Sequence, residues 1–207
     1  MFLSRVEISW EAARNPYDWH RRIWKLFPGE PKETRKHFGD SRHNFLFRIE
    51  DHAPGRAIRL LLQSRSAPSP VDGPFLIGSR EFQPQPAKGQ RLGFSLTANP
   101  VKTIQDGQKN SKPEKASDKC RVPLIREEEQ RAWLIRKLKD AAEVEFVDLR
   151  PQEPLYFRKD GRAGKLSRVY FNGILQVLDP RLFVALLENG IGPAKAFGCG
   201  LMLVRRL

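Results

Sequence analysis

Cysteine is scarce in this chain. Cys120 and Cys199 are the only two in 207 residues, and neither has a CxxC partner or a histidine at ligand spacing. A disulfide framework and a structural zinc site are therefore not expected. Histidine is nearly as sparse: His20, His37, His43 and His52 lack the short regular spacing of a metal centre, so neither a metal nor a cofactor is expected. No apolar run reaches the roughly 18 residues that a membrane span requires. The opening segment FLSRVEIS places Arg5 and Glu7 where a signal peptide would need an apolar core, and the cytoplasm is the expected compartment. Acidic residues are also in short supply, with 24 Asp and Glu against 37 Lys and Arg.

That imbalance is the first positive feature. A net charge of +13 favours polyanions through phosphate contacts and counterion release, which makes nucleic acid the leading partner class. An enzyme with a basic surface, or a ribosome-associated protein, would share the composition. Apolar residues at 40% and charged residues at 29% are ordinary for a globular protein. The length allows one large domain or two small ones of about 90 to 110 residues each.

The order of elements favours two. Phe2, Val6 and Ile8 alternate as in a strand. Asn15 and Pro16 then form a helix start, because asparagine accepts a bond from an early helix amide and proline suits the first turn. Pro28 and Gly29 close that helix. Segments 45–50 and 57–64 read as strands joined at Pro54 and Gly55, followed by a proline-rich stretch holding a short helix or loop and an edge strand. Alternation resumes at Leu92, Phe94 and Leu96. The lysine-rich tract KTIQDGQKNSKPEKASDKC cannot bury much apolar area and is expected to be mobile without a ligand. Then come a helix at REEEQRAWLIRKLKDA, strands at 143–148, 154–159 and 166–178, a helix at 180–189 and a last strand at 200–206. The second half repeats the first. The expected fold is α+β: two tandem ferredoxin-like (βαββαβ, RRM-like) domains, residues 1–88 and 89–207.

Two basic features stand out in the second half. The segment YFRKDGRAGKLSRVYF, 156–171, reads as two strands around a glycine-containing loop, concentrating Arg158, Lys159, Arg162, Lys165 and Arg168. Such a hairpin can follow the phosphates of an RNA stem, whose deep groove blocks ordinary reading of bases by side chains. The other feature is GIGPAKAFGCG, where Gly190, Gly192, Gly198 and Gly200 bracket Lys195. Glycines there permit positive backbone angles and close approach of amides to a bound group. It follows a helix and precedes a strand, the reverse of a dinucleotide fingerprint. A plain reading stands beside this one: Gly190 caps the helix and the rest is a tight connection.

The pattern GhG-x5-GhG, with a basic residue in its middle, resembles the glycine-rich loop of repeat-associated CRISPR proteins. LFP after the first helix, ANPVKT at 98–103 and CRVPLI ahead of an acidic helix start extend the likeness over nearly the whole chain. Together they resemble the type I-E CRISPR repeat-RNA endoribonucleases, which serve as the CasE subunit of Cascade. The resemblance implies tandem ferredoxin-like domains and metal-independent cleavage of precursor CRISPR RNA at the 3' base of the repeat hairpin. It also implies a product that stays bound among other Cascade subunits.

The family's catalytic segment corresponds to Tyr17 and His20, with a basic residue at Lys25, within NPYDWHRRIWKLFP. The chemistry suits these residue types. An RNA 2'-hydroxyl can attack the adjacent phosphate, leaving the protein to move protons, align the attack and offset charge. Histidine exchanges protons near neutral pH, as base toward the 2'-hydroxyl or as acid toward the leaving 5'-oxygen. Tyr17, His20 and Arg21 share a helix face at spacings of three and four, and Trp19, Ile23, Leu26 and Phe27 mark the core face. Arg21 and Arg22 extend the basic surface. Two rival readings remain at this level. One is a structural subunit that grips an RNA hairpin and cuts nothing; the other is a nucleotide-binding protein using the glycine loop.

Overall fold

The computed structural model describes residues 1–30, 44–105 and 119–207; His37, His43 and most of the lysine-rich tract lie outside the described residues. Strand β1 (Phe2–Ile8) encloses Val6 and Ile8 completely. A single helical turn, α1 (Trp10–Ala13), leads into helix α2 (Pro16–Ile23). Asn15 starts α2 as its sequence implies: its backbone is extended and its side-chain oxygen accepts from the Tyr17 amide at 3.3 Å. The helix tightens into a 3₁₀ turn over Trp24–Leu26 before reaching Pro28. Trp19, Ile23, Leu26 and Phe27 are all buried, each contributing roughly 1.5–3 kcal/mol of transfer free energy. The Trp19 indole also donates to the Ala13 carbonyl at 2.8 Å.

Strands β2 (Phe45–Asp51), β3 (Ile58–Ser64) and β4 (Phe75–Glu81) complete an antiparallel sheet in the order β2-β3-β1-β4. Residues 65–74, with three prolines, form a loop where a short helix or loop was expected.

The second half opens with β5 (Arg91–Ala98). A small separate ladder of β6 (Val101–Gln105) and β7 (Lys119–Pro123) follows. Both ends of the lysine-rich tract are thus paired, and the rest of it, where mobility was expected, lies outside the described residues. Helix α3 (Glu127–Leu138) has three acids in its first turn and two bases in its last, the orientation that offsets the helix dipole. Helix α4 (Pro180–Asn189) is capped by Asp179, whose Oδ1 accepts from the amides of Arg181 and Leu182. Strand β10 (Met202–Arg206) closes a sheet ordered β10-β5-β9-β8.

The largest departure from expectation is in β8 (Ala142–Lys159) and β9 (Arg162–Val177). Three separate strands were expected, at 143–148, 154–159 and 166–178. The structure instead forms one long hairpin. Strand β8 lies at the sheet edge, where a proline without a ladder donor is tolerated, and a bulge between Gln152 and Leu155 leaves Glu153 and Pro154 unpaired.

Each sheet has its own apolar core. The distal part of the hairpin crosses over: Leu155 is buried in the core of the first sheet, with Leu166 packed against it. A buried amide adds a second tie between the halves, Gln63 Nε2 donating to the Leu187 carbonyl at 2.8 Å. Among the described residues no helix is long and apolar enough to cross a membrane.

Candidate active site

Helix α2 and the tip of the long hairpin face each other across a cavity of about 620 Å³ lined by Tyr17, Asp18, His20, Arg21, Phe157 and Lys159, with Ala196 and Phe197 closing one end. Tyr17 and His20 therefore share one opening, as their spacing of three implies. His20 rests on an aromatic bed: the Phe45 ring lies 5.0 Å away and Trp24 meets it edge-on at 6.0 Å. Phe27 stacks behind Phe45 at 5.5 Å. Such packing limits the imidazole to few orientations while leaving the ring at the cavity wall.

Tyr17 is held from the other half of the molecule. Its ring stacks on Phe157 at 6.5 Å and leans on Phe197 at 6.4 Å, and these two rings meet at 4.6 Å. The Lys159 ammonium lies 5.6 Å from the Tyr17 ring centre, within cation–π range. Gly164 makes the arrangement possible, because a β-carbon there would fall 2.3 Å from the Phe157 ring.

Asn15 fastens the two elements together. Its Nδ2 donates to the Arg158 carbonyl at 2.9 Å, and the Arg158 amide donates to its Oδ1 at 3.0 Å. The side-chain amide thus pairs with β8 as a neighbouring strand residue would, while the same oxygen caps α2. Beside it, Asp18 pairs with Arg21 at 2.7 Å, leaving the Lys159 cation as the less neutralised charge at the opening.

The other expected site residues divide into groups. Strand alternation puts Lys159 and Arg162 on the α2 side of the hairpin and Arg158 and Lys165 on the opposite side, where the Lys165 ammonium lies over Tyr156 at 5.8 Å. All four are exposed. Arg168 is not with them. It is half-buried between the sheets, donates to the Glu153 carbonyl at 3.0 Å, and burial pulls its pKa below the ordinary arginine value. It stands close to Cys199, whose thiol burial pushes up to about 12, an unreactive state. Arg22 is half-buried as well, with its Nε enclosed. Lys25 does not join Tyr17 and His20 in lining the cavity. It lies against Gly73 in the loop before β4, its Nζ 3.7 Å from where a β-carbon on Gly73 would sit.

The glycine loop touches the site through its Lys195–Phe197 turn. Gly190, Gly192, Gly198 and Gly200 all have positive φ. Packing requires three of them directly: a β-carbon would come within 2.8 Å of Leu46 at Gly190, 2.7 Å of Trp133 at Gly192 and 2.9 Å of the Ile191 carbonyl oxygen at Gly200. Gly190 also ends α4, its amide donating to Leu186, so the plain capping reading holds there. Among the described residues no group of three or more His, Cys, Asp and Glu stands close enough to hold a metal ion.

Sequence reading missed Phe157, Phe197 and the second role of Asn15. Phe157 could have been flagged by its alternation with Lys159, but nothing in the linear order places residue 157 beside residue 17.

Comparison with known proteins is consistent over the full length. The profile of the CRISPR associated protein family matches residues 1–206. The CRISPR system Cascade subunit CasE of Escherichia coli (strain K12) is 40% identical over 202 residues, covering 98% of both chains. The CRISPR-associated endoribonuclease Cse3 of Thermus thermophilus is 33% identical over 210 residues, covering 92% of this chain and 90% of that protein. The crystal structure of the CRISPR-associated protein Cas6e from Escherichia coli str. K-12 aligns with a TM-score of 0.84 at 39% identity, covering 100% of each chain.

Proposed function

The chain belongs to the CRISPR-associated endoribonuclease family of CasE and Cse3, and from that premise we propose how it works on RNA. It processes CRISPR repeat RNA as a subunit of Cascade. In our reading the cut falls at the 3' base of the repeat hairpin, and no metal takes part. The observation that carries this reading is the cavity in which Tyr17 and His20 stand opposite a basic hairpin.

The exposed cations of the hairpin, Arg158, Lys159, Arg162 and Lys165, follow the stem phosphates and bring the scissile phosphate to α2. The 2'-hydroxyl of the nucleotide before the cut attacks that phosphate as the 5'-oxygen leaves. His20 exchanges a proton with one of these oxygens, and Tyr17, held by Phe157 and Lys159, orients the phosphate for in-line attack. Lys25 contributes positive charge from the far end of the helix. After cleavage the stem contacts are intact, so the protein stays on the hairpin and presents it to the other Cascade subunits.

Two sheets with the same pattern of strand order, β2-β3-β1-β4 and β10-β5-β9-β8, support the tandem ferredoxin-like reading with a division near Lys88. The first unit lacks its second helix among the described residues.

The test is single-turnover cleavage of a repeat hairpin RNA in excess EDTA, with binding followed in parallel. Wild-type protein should cut. His20→Ala should bind comparably and cut about 10²- to 10⁴-fold more slowly, the usual range for loss of an acid–base group. Binding by both proteins with cleavage by neither, even after divalent metal is restored, would leave only the hairpin-gripping structural role.

A further inference from the structure

The glycine loop has two sides. Toward α2, its Lys195–Phe197 turn closes the cavity of Tyr17 and His20; away from α2, the same turn borders a second cavity of about 720 Å³. Ala196 and Phe197 line both, so the two cavities lie on either side of one turn.

Three cations from separate elements converge on this second cavity: Arg121 from β7, Lys137 from the last turn of α3, and Lys195 from the loop. Among the described residues no carboxylate lines it. None of the three cations takes part in the ion pairs found among the described residues. Lys195 is half-buried, and burial, with Lys137 adding like-charge repulsion, holds its ammonium below the ordinary lysine value. A cleft that gathers like charges favours an anion, and the threonine hydroxyl of Thr103, paired in register with Arg121, adds a neutral donor beside them. Trp133 also borders the cavity but is only 2% exposed, which leaves little ring face for a base to stack on. The chemistry is therefore that of a phosphate site rather than a base-reading one.

We propose that this cavity holds backbone phosphate of the single-stranded RNA that continues from the base of the hairpin, so that Arg121 and Lys137 bind the flank adjoining the cut. This rests on the endoribonuclease reading above and extends it to a part of the substrate beyond the stem. Its place across one turn from the catalytic cavity favours RNA over an acidic segment of a neighbouring protein. Contact with phosphate alone makes the flank's presence matter and its sequence not.

The experiment compares wild-type protein with the Arg121→Ala/Lys137→Ala double variant, both positions being exposed. Three RNAs carry a 2'-deoxy substitution at the cut nucleotide to prevent cleavage: the bare hairpin, the hairpin with a 5' single-stranded extension, and the hairpin with a 3' extension. In wild type, the 3' extension, which adjoins the cut, should tighten binding and steepen its salt dependence. The double variant should lose that increment, its log–log salt slope falling by about 1.4 if two single-strand phosphate contacts disappear at about 0.7 each. Its affinity for the bare hairpin and its thermal midpoint should match wild type. Scrambling the extension's sequence should change nothing.

The proposal is overturned if the 3' extension does not tighten wild-type binding, if the increment persists in the variant, or if the bare hairpin loses as much affinity as the extended one. It is also overturned if the variant handles all three RNAs normally and instead fails to assemble with its protein partners. Cleavage by the variant of an unmodified hairpin ending one nucleotide past the cut separates these results from a failure of the endoribonuclease reading itself.

Discussion

Aromatic contacts hold both His20 and Tyr17 at the cavity wall. Those contacts suggest a way to separate ring placement from chemistry. Tyr17→Phe keeps the stack on Phe157 and the Lys159 contact while removing only the hydroxyl. If that hydroxyl orients the phosphate, single-turnover cleavage should slow with binding unchanged. Gly164→Ala should slow cleavage by a different route, because its new β-carbon displaces the Phe157 ring that Tyr17 leans on. A second histidine carries a stability prediction. His52 lies edge-on to Trp19 at 5.6 Å, and its pKa is lowered from the ordinary 6.5, first by burial and then by Arg168. The unfolded chain therefore takes up this proton before the folded one does. The resulting loss of stability is absent well above pH 6.5 and grows as the pH falls through 6.5 toward the folded value. Thermal melting between pH 8 and pH 5 should show wild type losing more stability on acidification than His52→Gln.

At the scale of elements, the junction of α2 with the long hairpin depends on one side chain. Asn15 both caps α2 and pairs with Arg158, and two substitutions divide these tasks. Asn15→Ser keeps a good cap but is too short to span to β8, whereas Asn15→Ala loses both and should cost about 0.5–2 kcal/mol from the cap alone. The serine variant should melt near wild type yet cleave more slowly at saturating RNA, because the hairpin no longer sits at a fixed distance from His20. Equal cleavage by Asn15→Ser and wild type would show that the aromatic contacts suffice. The hairpin has its own constraint where β8 bulges between Val144 and Phe146. A β-carbon on Gly173 would fall 2.0 Å from the Phe146 carbonyl oxygen, so Gly173→Ala must displace backbone. It should destabilise by roughly 1–3 kcal/mol, the usual cost of overpacking, as read from urea unfolding.

For the molecule as a whole, net charge and shared packing set the behaviour. A +13 chain that binds RNA mainly through phosphates should lose affinity steeply with salt, by about 10³ to 10⁵ between 50 and 200 mM if six to ten contacts form. The cleavage rate at saturating RNA should change far less, since the chemistry takes place in a partly enclosed cavity. The two sheets are also joined by more than the connecting segment. Leu155 from the second half completes the first core, Gln63 bonds to α4, and Gly190 packs on Leu46. Urea unfolding should therefore follow one transition, and a fragment ending near Lys88 should show no cooperative transition of its own.

Local pattern determined a great deal here. Periodicity and end signals placed α2, α3, α4 and the strands flanking Pro54 and Gly55, because caps, alternation and turn residues act over a few positions of chain. The same locality made Tyr17 and His20 neighbours on one helix face, and composition alone pointed to a polyanion. Local pattern showed the tip of the long hairpin at 156–171 but not its full length, because the strands expected at 143–148 and 154–159 join into β8 only where an edge position and a bulge accommodate Pro151 and Pro154. Nor could local pattern show that Arg168 turns inward, that Lys25 lies apart from His20, or that Phe157 and Asn15 join segments far apart in the chain. Those outcomes depend on which surfaces meet when the two sheets pack, and burial and contact at that junction are properties of the assembled fold, not of any short segment.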